Sequence, residues 1–278
     1  MAPEYAGRGD ARRSMELMWR GATRASRGPK AALELNAVVR AAIELADAEG
    51  LEAVSMRRVA ERLEMGTMSV YTYVPGKGEL LDLMLDTVYG ELHGDAPAAA
   101  RVGWRERLEA LARDQWAFYK RHPWTLSIAS GRSVLGPNEV ESYERSLSIV
   151  VDLGLPAREV VAVVDAVSMF VRGAARDAGE AAGAERATGK TEAEWWSERD
   201  KLLTELMADR DLPTLGRLDA EGGFDVPPDT PNYNLRFIVD DFEFGLQRML
   251  DGIERYVDAA AGRSTVRSRR PRPRQGRR

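Results

Sequence analysis

Apolar residues recur along most of the chain at intervals of three and four, which is the spacing of one face of an α-helix. This pattern predicts helices over residues 35–48, 56–63, 67–73, 77–92, 104–121, 124–130, 138–153, 157–182, 192–208 and 235–260. Apolar and polar residues never alternate for long enough to indicate a strand. The pattern therefore predicts an all-α protein, with two short helices near its start and longer helices behind them.

The two short helices are joined by a tight turn. Ser55 is a favoured N-cap residue for the helix over residues 56–63. Residues 64–66, Glu-Met-Gly, form the turn, and Pro75 ends the helix over residues 67–73. The apolar residues through which the two helices are predicted to pack together are Val59, Ala60, Leu63, Val70 and Val74. A pair of this geometry, supported by a preceding helix, can place its second helix in the major groove of DNA.

The second short helix carries an unusual exposed face. Its remaining residues are Thr67, Met68, Ser69, Tyr71, Thr72 and Tyr73. So many hydroxyl and aromatic groups on one exposed helix of two turns are uncommon in a purely structural element. The alternatives are that Tyr71 and Tyr73 pack against the next helix and that Met68 fills space. The composition favours a contact surface.

Charge is distributed unevenly along the 278 residues. The net charge is −4, yet residues 263–278 contain eight arginines and no acid. The rest of the chain holds 32 basic and 44 acidic residues, and its first 83 residues are neutral, with 12 of each. The body of the protein is therefore acidic and repels nucleic acid. We expect any DNA contact to be local, made by the short helices, by a basic arm with Arg24, Arg27 and Lys30, or by the arginine-rich tail.

Composition and motifs argue against an enzyme. The chain has no cysteine and two histidines, and it shows no phosphate-binding loop, nucleophile elbow or metal-ligand spacing. We expect no cofactor and no metal. The first residues lack the apolar core of a signal peptide, and the most apolar stretch, residues 160–171, is too short to cross a membrane. The expected location is the cytoplasm, without a membrane partner.

Four parts are predicted along the chain. They are a flexible basic arm at residues 1–30, a DNA-binding domain at residues 31–92, a larger helical domain at residues 93–262 and a disordered tail at residues 263–278.

Residues 35–85 resemble the DNA-binding domain of the TetR family of regulators. The resemblance rests on Ala60 between the two helices, on the S-V-Y-T-Y-V ending of the second helix and on K-x-E-L-L at the start of the next. It implies a helix-turn-helix in which Arg57, Thr67 and Met68 read bases. It also implies that Ser69, Tyr71, Tyr73 and Lys77 approach phosphates, as hydroxyl and ammonium groups do. Thr72 completes the predicted contact set.

The larger domain resembles the ligand-binding and dimerisation half of the tetracycline repressor. The cues are G-W-R-E from residue 103, R-H-P-W from residue 121 and G-L-P from residue 154. The resemblance implies a homodimer whose long helix and last helix form a four-helix interface with their symmetry mates. Residues suited to that interface are Ala162, Ala166, Val167, Phe170, Ala174, Phe237, Phe244, Leu246, Leu250 and Ile253.

An effector pocket is expected where polar residues interrupt apolar stripes. Gln115 does so on the helix over residues 104–121, and Asp165 does so on the long helix unless it pairs with Arg172 or a neighbouring helix. His93 falls where the tetracycline repressor uses a ligand-binding histidine. The predicted pocket residues, each of which has a core role as its alternative, are His93, Leu111, Gln115, Trp116, Trp124, Tyr143, Asp165 and Met169. Ser-Ile-Ala at residues 127–129 replaces the metal-binding histidine of that repressor, which argues against a magnesium-tetracycline effector.

These observations predict a regulator that binds a palindromic operator as a homodimer, most simply a repressor, and that a small molecule releases from DNA. A ligand-independent or architectural DNA-binding protein, which relies on the basic arm and tail, is the alternative. It predicts steep salt dependence with little sequence preference.

Overall fold

The computed structural model describes residues 4–20, 29–93, 102–129, 133–207, 209–225, 227 and 230–268. Its α-helices in this part of the chain are α1 (Ala11–Arg20), α2 (Pro29–Glu49), α3 (Met56–Arg62), α4 (Thr67–Tyr73), α5 (Lys77–Tyr89), α6 (Trp104–Arg121), α7 (Pro137–Ser148), α8 (Ala157–Thr188), α9 (Glu192–Met207), α10 (Pro213–Ala220) and α11 (Tyr233–Ser268). The all-α prediction is confirmed by this helical architecture.

Short 3-10 helices and one small ladder complete the described structure. The 3-10 helices are Leu51–Ala53, Gly90–His93 and Pro123–Ser127. Strands β1 (Glu4–Tyr5) and β2 (Ile128–Ala129) pair in parallel, with Glu4 opposite Ile128. The ladder is two residues long, which is too short for any alternation in the sequence to reveal.

The chain divides into two compact units, Met1–Arg172 with Leu246–Arg278, and Gly173–Gly245. Residues of the helical domain predicted over 93–262 fall in both units. Helices α8 and α11 each contribute residues to both units, whereas α9 and α10 belong to the second unit alone.

Helix α5 lies at the centre of the first unit. Its apolar residues Leu80, Leu81, Met84 and Val88 are at most 1% exposed. They pack with the apolar faces of α2, α3 and α4 in one continuous core. Burial of this kind stabilises the fold by about 25 cal/mol for each Å² of apolar surface.

The predicted flexible arm is corrected by the structure, because part of it is an ordered helix. Asp82 accepts hydrogen bonds from the backbone N–H of Gly7 (2.8 Å) and from the hydroxyl of Ser14 (2.7 Å). Glu79 accepts one from the N–H of Asp10 (2.9 Å). Helix α1 is thus held on α5 by buried carboxylates, and its Met18 joins the apolar core. Hydrophobic spacing does not report the hydrogen bonds.

The basic residues assigned to that arm have different outcomes. Arg24 and Arg27 lie outside the described residues. Lys30 falls in the first turn of α2, and its side chain lies outside the described part. At the other end, α11 continues to Ser268, six residues into the tail predicted over residues 263–278. Residues 269–278 are not among those described.

Other element boundaries also shift. The helix predicted over residues 124–130 is a 3-10 helix followed by β2, and α7 ends at Ser148 rather than at residue 153. Helix α10 was not predicted, because its sequence lacks a continuous apolar stripe. None of its residues is buried.

Three residues predicted for the dimer interface belong to the core of the protomer instead. Val167, Leu246 and Leu250 have no exposed surface. By contrast, 66% of Phe244 is exposed. The spacing of the apolar residues identified buried faces but could not separate the core of one protomer from the surface between two.

Candidate DNA-binding surface and effector pocket

Helices α3 and α4 form the predicted pair around a tight turn. The Ser55 hydroxyl accepts a hydrogen bond from the N–H of Arg58 (3.3 Å) and caps α3. Glu64 adopts the left-handed conformation, φ 53°, and the N–H of Met65 returns to the carbonyl of Ala60 (3.0 Å). The turn thereby satisfies a carbonyl at the end of α3 and redirects the chain into α4.

The packing predicted between the two helices is confirmed. Val59, Ala60, Val70 and Val74 are at most 1% exposed, and Leu63 is half-buried. Ala60 needs to be small because α4 crosses α3 beside it. A single face of α4 is therefore fixed in the core, and its other residues point away from it.

The exposed face of α4 comprises Thr67, Met68, Ser69, Tyr71 and Thr72 and is called the α4 face below. Met68 is 77% exposed and Tyr71 44%, so both large side chains of this face are accessible to a partner. Ser69 and Thr72 are also exposed, and Thr67 is half-buried. Val70 is the one residue of α4 that is buried.

Arg57 and Arg58 have different surroundings. Arg57 lies 3.7 Å from Glu61 on the next turn, with 77% of its side chain exposed, so this pair is weak. Arg58 donates to Glu49 (2.6 Å), and this hydrogen bond raises the pKa of Arg58 and lowers that of Glu49. Arg58 therefore anchors α3 to α2, whereas Arg57 is available for an external contact.

Two predicted phosphate contacts also have roles within the protomer. The half-buried Tyr73 donates its hydroxyl to the carboxylate of Glu34 and so joins α4 to α2. Lys77 is the first residue of α5 and lines an open surface cavity together with Arg8. A phosphate contact by either residue stays a prediction.

Gln115 faces inward from α6, as its position in the apolar stripe predicted. Its Nε2 donates to the Ser168 hydroxyl on α8 (3.1 Å). Its Oε1 is buried and has no hydrogen-bond partner among the described residues. A buried acceptor left without a donor costs about 1–3 kcal/mol, so the arrangement suits a ligand that supplies a donor. Leu111 and Trp116 are half-buried on the same helix.

Asp165 pairs with a neighbouring helix, which was one of the two alternatives. The Tyr143 hydroxyl of α7 donates to it (3.2 Å). Partial burial, and then the charge of Asp165, raise the pKa of Tyr143. Tyr143 is 41% exposed and Met169 is 61% exposed, so neither is enclosed in the protomer. The side chain of His93, at the end of a 3-10 helix, lies outside the described part.

A small cavity of about 140 Å³ lies in the first unit. Its lining includes Tyr89 of α5, Thr125, Glu139 of α7 and Arg172 of α8. Burial raises the pKa of Tyr89 above its ordinary value. The predicted pocket residues do not line this cavity, and its volume is below the roughly 300 Å³ at which ligand pockets begin.

The structure places Trp124 elsewhere than in a pocket. Trp124 is 2% exposed and donates its Nε1–H to Asp47 of α2 (2.7 Å). The buried His122 lies 2.8 Å from Asp47 through Nδ1 and 3.1 Å from Glu91 through Nε2. These four residues, called the junction below, connect α2, the 3-10 helix after α5 and the end of α6.

Sequence reasoning missed the junction, although R-H-P-W was one of its cues. It also missed the three buried acids of α5, Glu79, Asp82 and Asp86. Asp86 accepts the N–H groups of Asn138 (2.9 Å) and Glu139 (3.0 Å) and so caps α7. Acidic residues spaced by three and four within an otherwise apolar helix are the signal that could have identified them.

The described residues lack two kinds of feature. They contain no cluster of three or more histidine, cysteine or acidic side chains placed to hold a metal ion. Their helices include none with the length and hydropathy needed to cross a membrane.

The match to known families decides the assignment. Residues 38–84 match the bacterial regulatory proteins of the tetR family, and residues 96–257 match the tetracyclin repressor-like C-terminal domain. The second match covers more than half of the chain. The chain belongs to the TetR family. TetR-family proteins are transcriptional regulators, and α3 and α4 are the helix-turn-helix of this one.

Individual relatives match between 80% and 94% of this chain. The HTH-type transcriptional repressor DrrR1 of Streptomyces coeruleorubidus is 44% identical over 94% of this chain and 92% of its own. The crystal structure of apo ActR from Streptomyces coelicolor matches with a TM-score of 0.57 and 26% identity, over 83% of this chain and 97% of that one. ActR in complex with actinorhodin matches with 0.59 and 28%, over 80% and 97%.

Proposed function

We propose that the protein is a transcriptional repressor that binds a palindromic operator as a homodimer through the α4 face and is released by a small-molecule effector. The observation that carries the proposal is the α4 face itself. Of the residues of α4, only Val70 is buried and Tyr73 bonds to α2, so the five others lie on the outside of the helix pair or at its edge. The name of the relative DrrR1 supports repression rather than activation.

The chemistry of the α4 face, together with Arg57 of α3, suits the base edges and the phosphate backbone of DNA. The exposed guanidinium of Arg57 matches the O6 and N7 acceptors of guanine, and the Met68 side chain suits a thymine methyl group. The hydroxyls of Ser69 and Tyr71 suit phosphate oxygens. In a dimer, two such helices about 34 Å apart enter successive major grooves.

Effector binding is proposed around Gln115. The unsatisfied Oε1 lies between α6 and α8, and a ligand that donates a hydrogen bond to it would recover the free energy lost by its burial. ActR, a structural relative, has been crystallised with actinorhodin and with (S)-DNPA, which supports a small organic effector for the present protein.

Helix α5 is the proposed route between the two sites. It follows α4 directly and holds α1 through Asp82 and the start of α7 through Asp86. An effector that favours another position of α7 would bias α5, and α5 would carry the α4 face with it. Linkage requires DNA to weaken effector binding by the same factor by which effector weakens DNA binding.

Fluorescence anisotropy against the DNA that flanks the protein's own gene tests the proposal. At fixed moderate salt, the wild type should bind this duplex at least tenfold more tightly than a scrambled one, and Arg57→Ala should lose most of that preference. Arg12→Ala, which removes a positive charge from α1, is the matched control and should keep it. Equal binding of both duplexes by the wild type would contradict the proposal.

The proposal includes no catalytic step and no cofactor, and such a repressor acts in the bacterial cytoplasm, where the chromosome lies. The architectural alternative relies on Arg24, Arg27, Lys30 and the arginine-rich tail, and it predicts a steep salt dependence with equal binding of the two duplexes.

A further inference from the structure

The unit Gly173–Gly245 contains an open cavity of about 840 Å³. Helix α9 contributes Trp196 and Leu203, α10 contributes Leu215, and the turn after α10 contributes Phe224. Its volume falls within the range of roughly 300–1,000 Å³ that is typical of small-molecule sites. None of the predicted DNA-binding or effector residues lines it, so the cavity is a separate feature of the protein.

An aromatic cluster contributes to one wall of the cavity. Trp196 and Tyr233 meet edge to face, with ring centroids 5.7 Å apart, and Tyr233 contacts Phe237 at 4.8 Å. The Tyr233 hydroxyl donates to the carbonyl of Phe224 (2.8 Å), which fixes the turn against the ring. Hydrogen bonds at both ends of this wall hold it in place, since Trp196 also donates its Nε1–H to Glu192 (3.0 Å).

Another part of the lining is aliphatic, and its leucines are exposed. Leu203 is 46% exposed, Leu212 44% and Leu215 40%. Helices α9 and α10 bury none of their residues fully. Apolar surface of this extent is unfavourable in water and is covered favourably by an apolar ligand.

Charge determines which ligand fits. Three carboxylates line the cavity, those of Asp200, Asp219 and Asp225, against the single guanidinium of Arg210. No hydrogen bond or ion pair within the described part of the chain engages these three carboxylates. Asp225 and Asp219 also lie near enough to Tyr233 to add to the effect of burial, which raises the pKa of its hydroxyl.

The unit that contains the cavity is also negatively charged. Residues 173–245 hold 17 acidic and 8 basic side chains, a net charge of −9. An anionic ligand, or the same unit of a second copy, would be repelled by this field. An organic cation would be attracted, and the rings of Trp196 and Tyr233 add a cation–π contribution.

We propose that this cavity is a binding site for an amphipathic organic cation, a molecule with a planar apolar body and a positively charged nitrogen. The body lies between the aromatic wall and the leucines, and the charge faces Asp219 and Asp225. This site is separate from the proposed operator and effector sites, and cation binding there does not depend on operator binding.

Two dyes that share a xanthene ring test the charge requirement directly. Rhodamine 6G is a cation and fluorescein is an anion at neutral pH, and anisotropy of each is titrated with the full-length protein at about 0.1 M salt, where long-range attraction is screened. We expect rhodamine 6G to bind at least about tenfold more tightly than fluorescein and to quench tryptophan emission. Equal affinities, or no binding of rhodamine 6G, would overturn the proposal.

Matched variants then locate the site. The double substitution Asp219→Asn with Asp225→Asn keeps the shape of the side chains and is expected to weaken rhodamine 6G binding by about tenfold. Asp177→Asn with Glu180→Gln removes the same charge from exposed positions of α8 outside the cavity and should leave the affinity unchanged.

A second location test removes an aromatic ring. Trp196→Ala should reduce both rhodamine 6G affinity and the quenching, with helical content unchanged by circular dichroism. Equal weakening by the two charge variants, or unchanged affinity in Asp219→Asn with Asp225→Asn, would show nonspecific attraction to the acidic unit and reject the site.

Discussion

At the scale of single residues, Gly136 shows how closely the first unit is packed. A Cβ added there would overlap with the carboxylate of Asp86, which accepts two N–H groups at the start of α7. Gly136→Ala should therefore lower the free energy of unfolding by about 2–3 kcal/mol, because either the cap or the helix must move. Urea denaturation measures the change.

The matched control is Gly179→Ala. Gly179 lies exposed in α8 with no atom near the position of an added Cβ, so this change should be neutral or stabilise by up to about 1 kcal/mol. Equal effects of the two substitutions would show that the contact between Gly136 and Asp86 contributes nothing.

A second residue, Asp47, bonds two buried partners with one oxygen atom. Both the Trp124 Nε1–H and the His122 ring contact Oδ1. Asp47→Asn removes the charge that this arrangement uses and should cost about 2–3 kcal/mol of stability in thermal or urea unfolding. Glu44→Gln, on the same helix, breaks an exposed pair with Arg62 and should cost less than about 1 kcal/mol. The reverse order would contradict the role assigned to the junction.

At the scale of elements, Glu91 links the 3-10 helix after α5 to the end of α6. Burial alone would raise the pKa of Glu91, but hydrogen bonds from His122 and Arg121 outweigh it and lower the pKa below the ordinary value of 4.5. A carboxyl with a lowered pKa in the folded state stabilises the protein above its ordinary value. That contribution is lost as the pH falls through the lowered value.

The corresponding test compares the wild type with Glu91→Gln in urea unfolding as a function of pH. The wild type should be the more stable protein near neutral pH, and its advantage should shrink as the pH falls below 4.5. Glu52→Gln, which removes an exposed carboxyl outside the junction, serves as the control. If the stability advantage of the wild type grew on acidification, the pKa of Glu91 would be raised in the folded state rather than lowered.

The helices also show how much of the fold can be predicted from the sequence. The bounds of α4 and α6 were predicted to the residue, since Gly66 and Pro75 bracket α4 and a regular apolar stripe runs through α6. Helix α1 was missed because polar groups dock it on α5. The spacing of apolar residues identifies which face of a helix is buried but not which neighbour buries it. Gln115 was therefore placed correctly on an inward face. Trp124, by contrast, was assigned to a pocket rather than to the junction.

At the scale of the whole molecule, the distribution of charge restricts how DNA can approach. The chain without residues 263–278 carries a net charge of −12, while its first 83 residues are neutral. An acidic body and a neutral helix-turn-helix favour binding that depends on close base and phosphate contacts rather than on long-range attraction. The acidity of residues 173–245 gives the second unit the opposite preference, for cations.

Two α4 helices of a dimer are proposed to read one operator, and hydroxyl-radical footprinting of the DNA that flanks the protein's own gene tests whether they do. We expect two protected patches related by a dyad and centred about one helical turn apart, both weakened by Arg57→Ala. A single continuous patch, protection without symmetry, or a footprint that Arg57→Ala leaves unchanged would contradict this proposal.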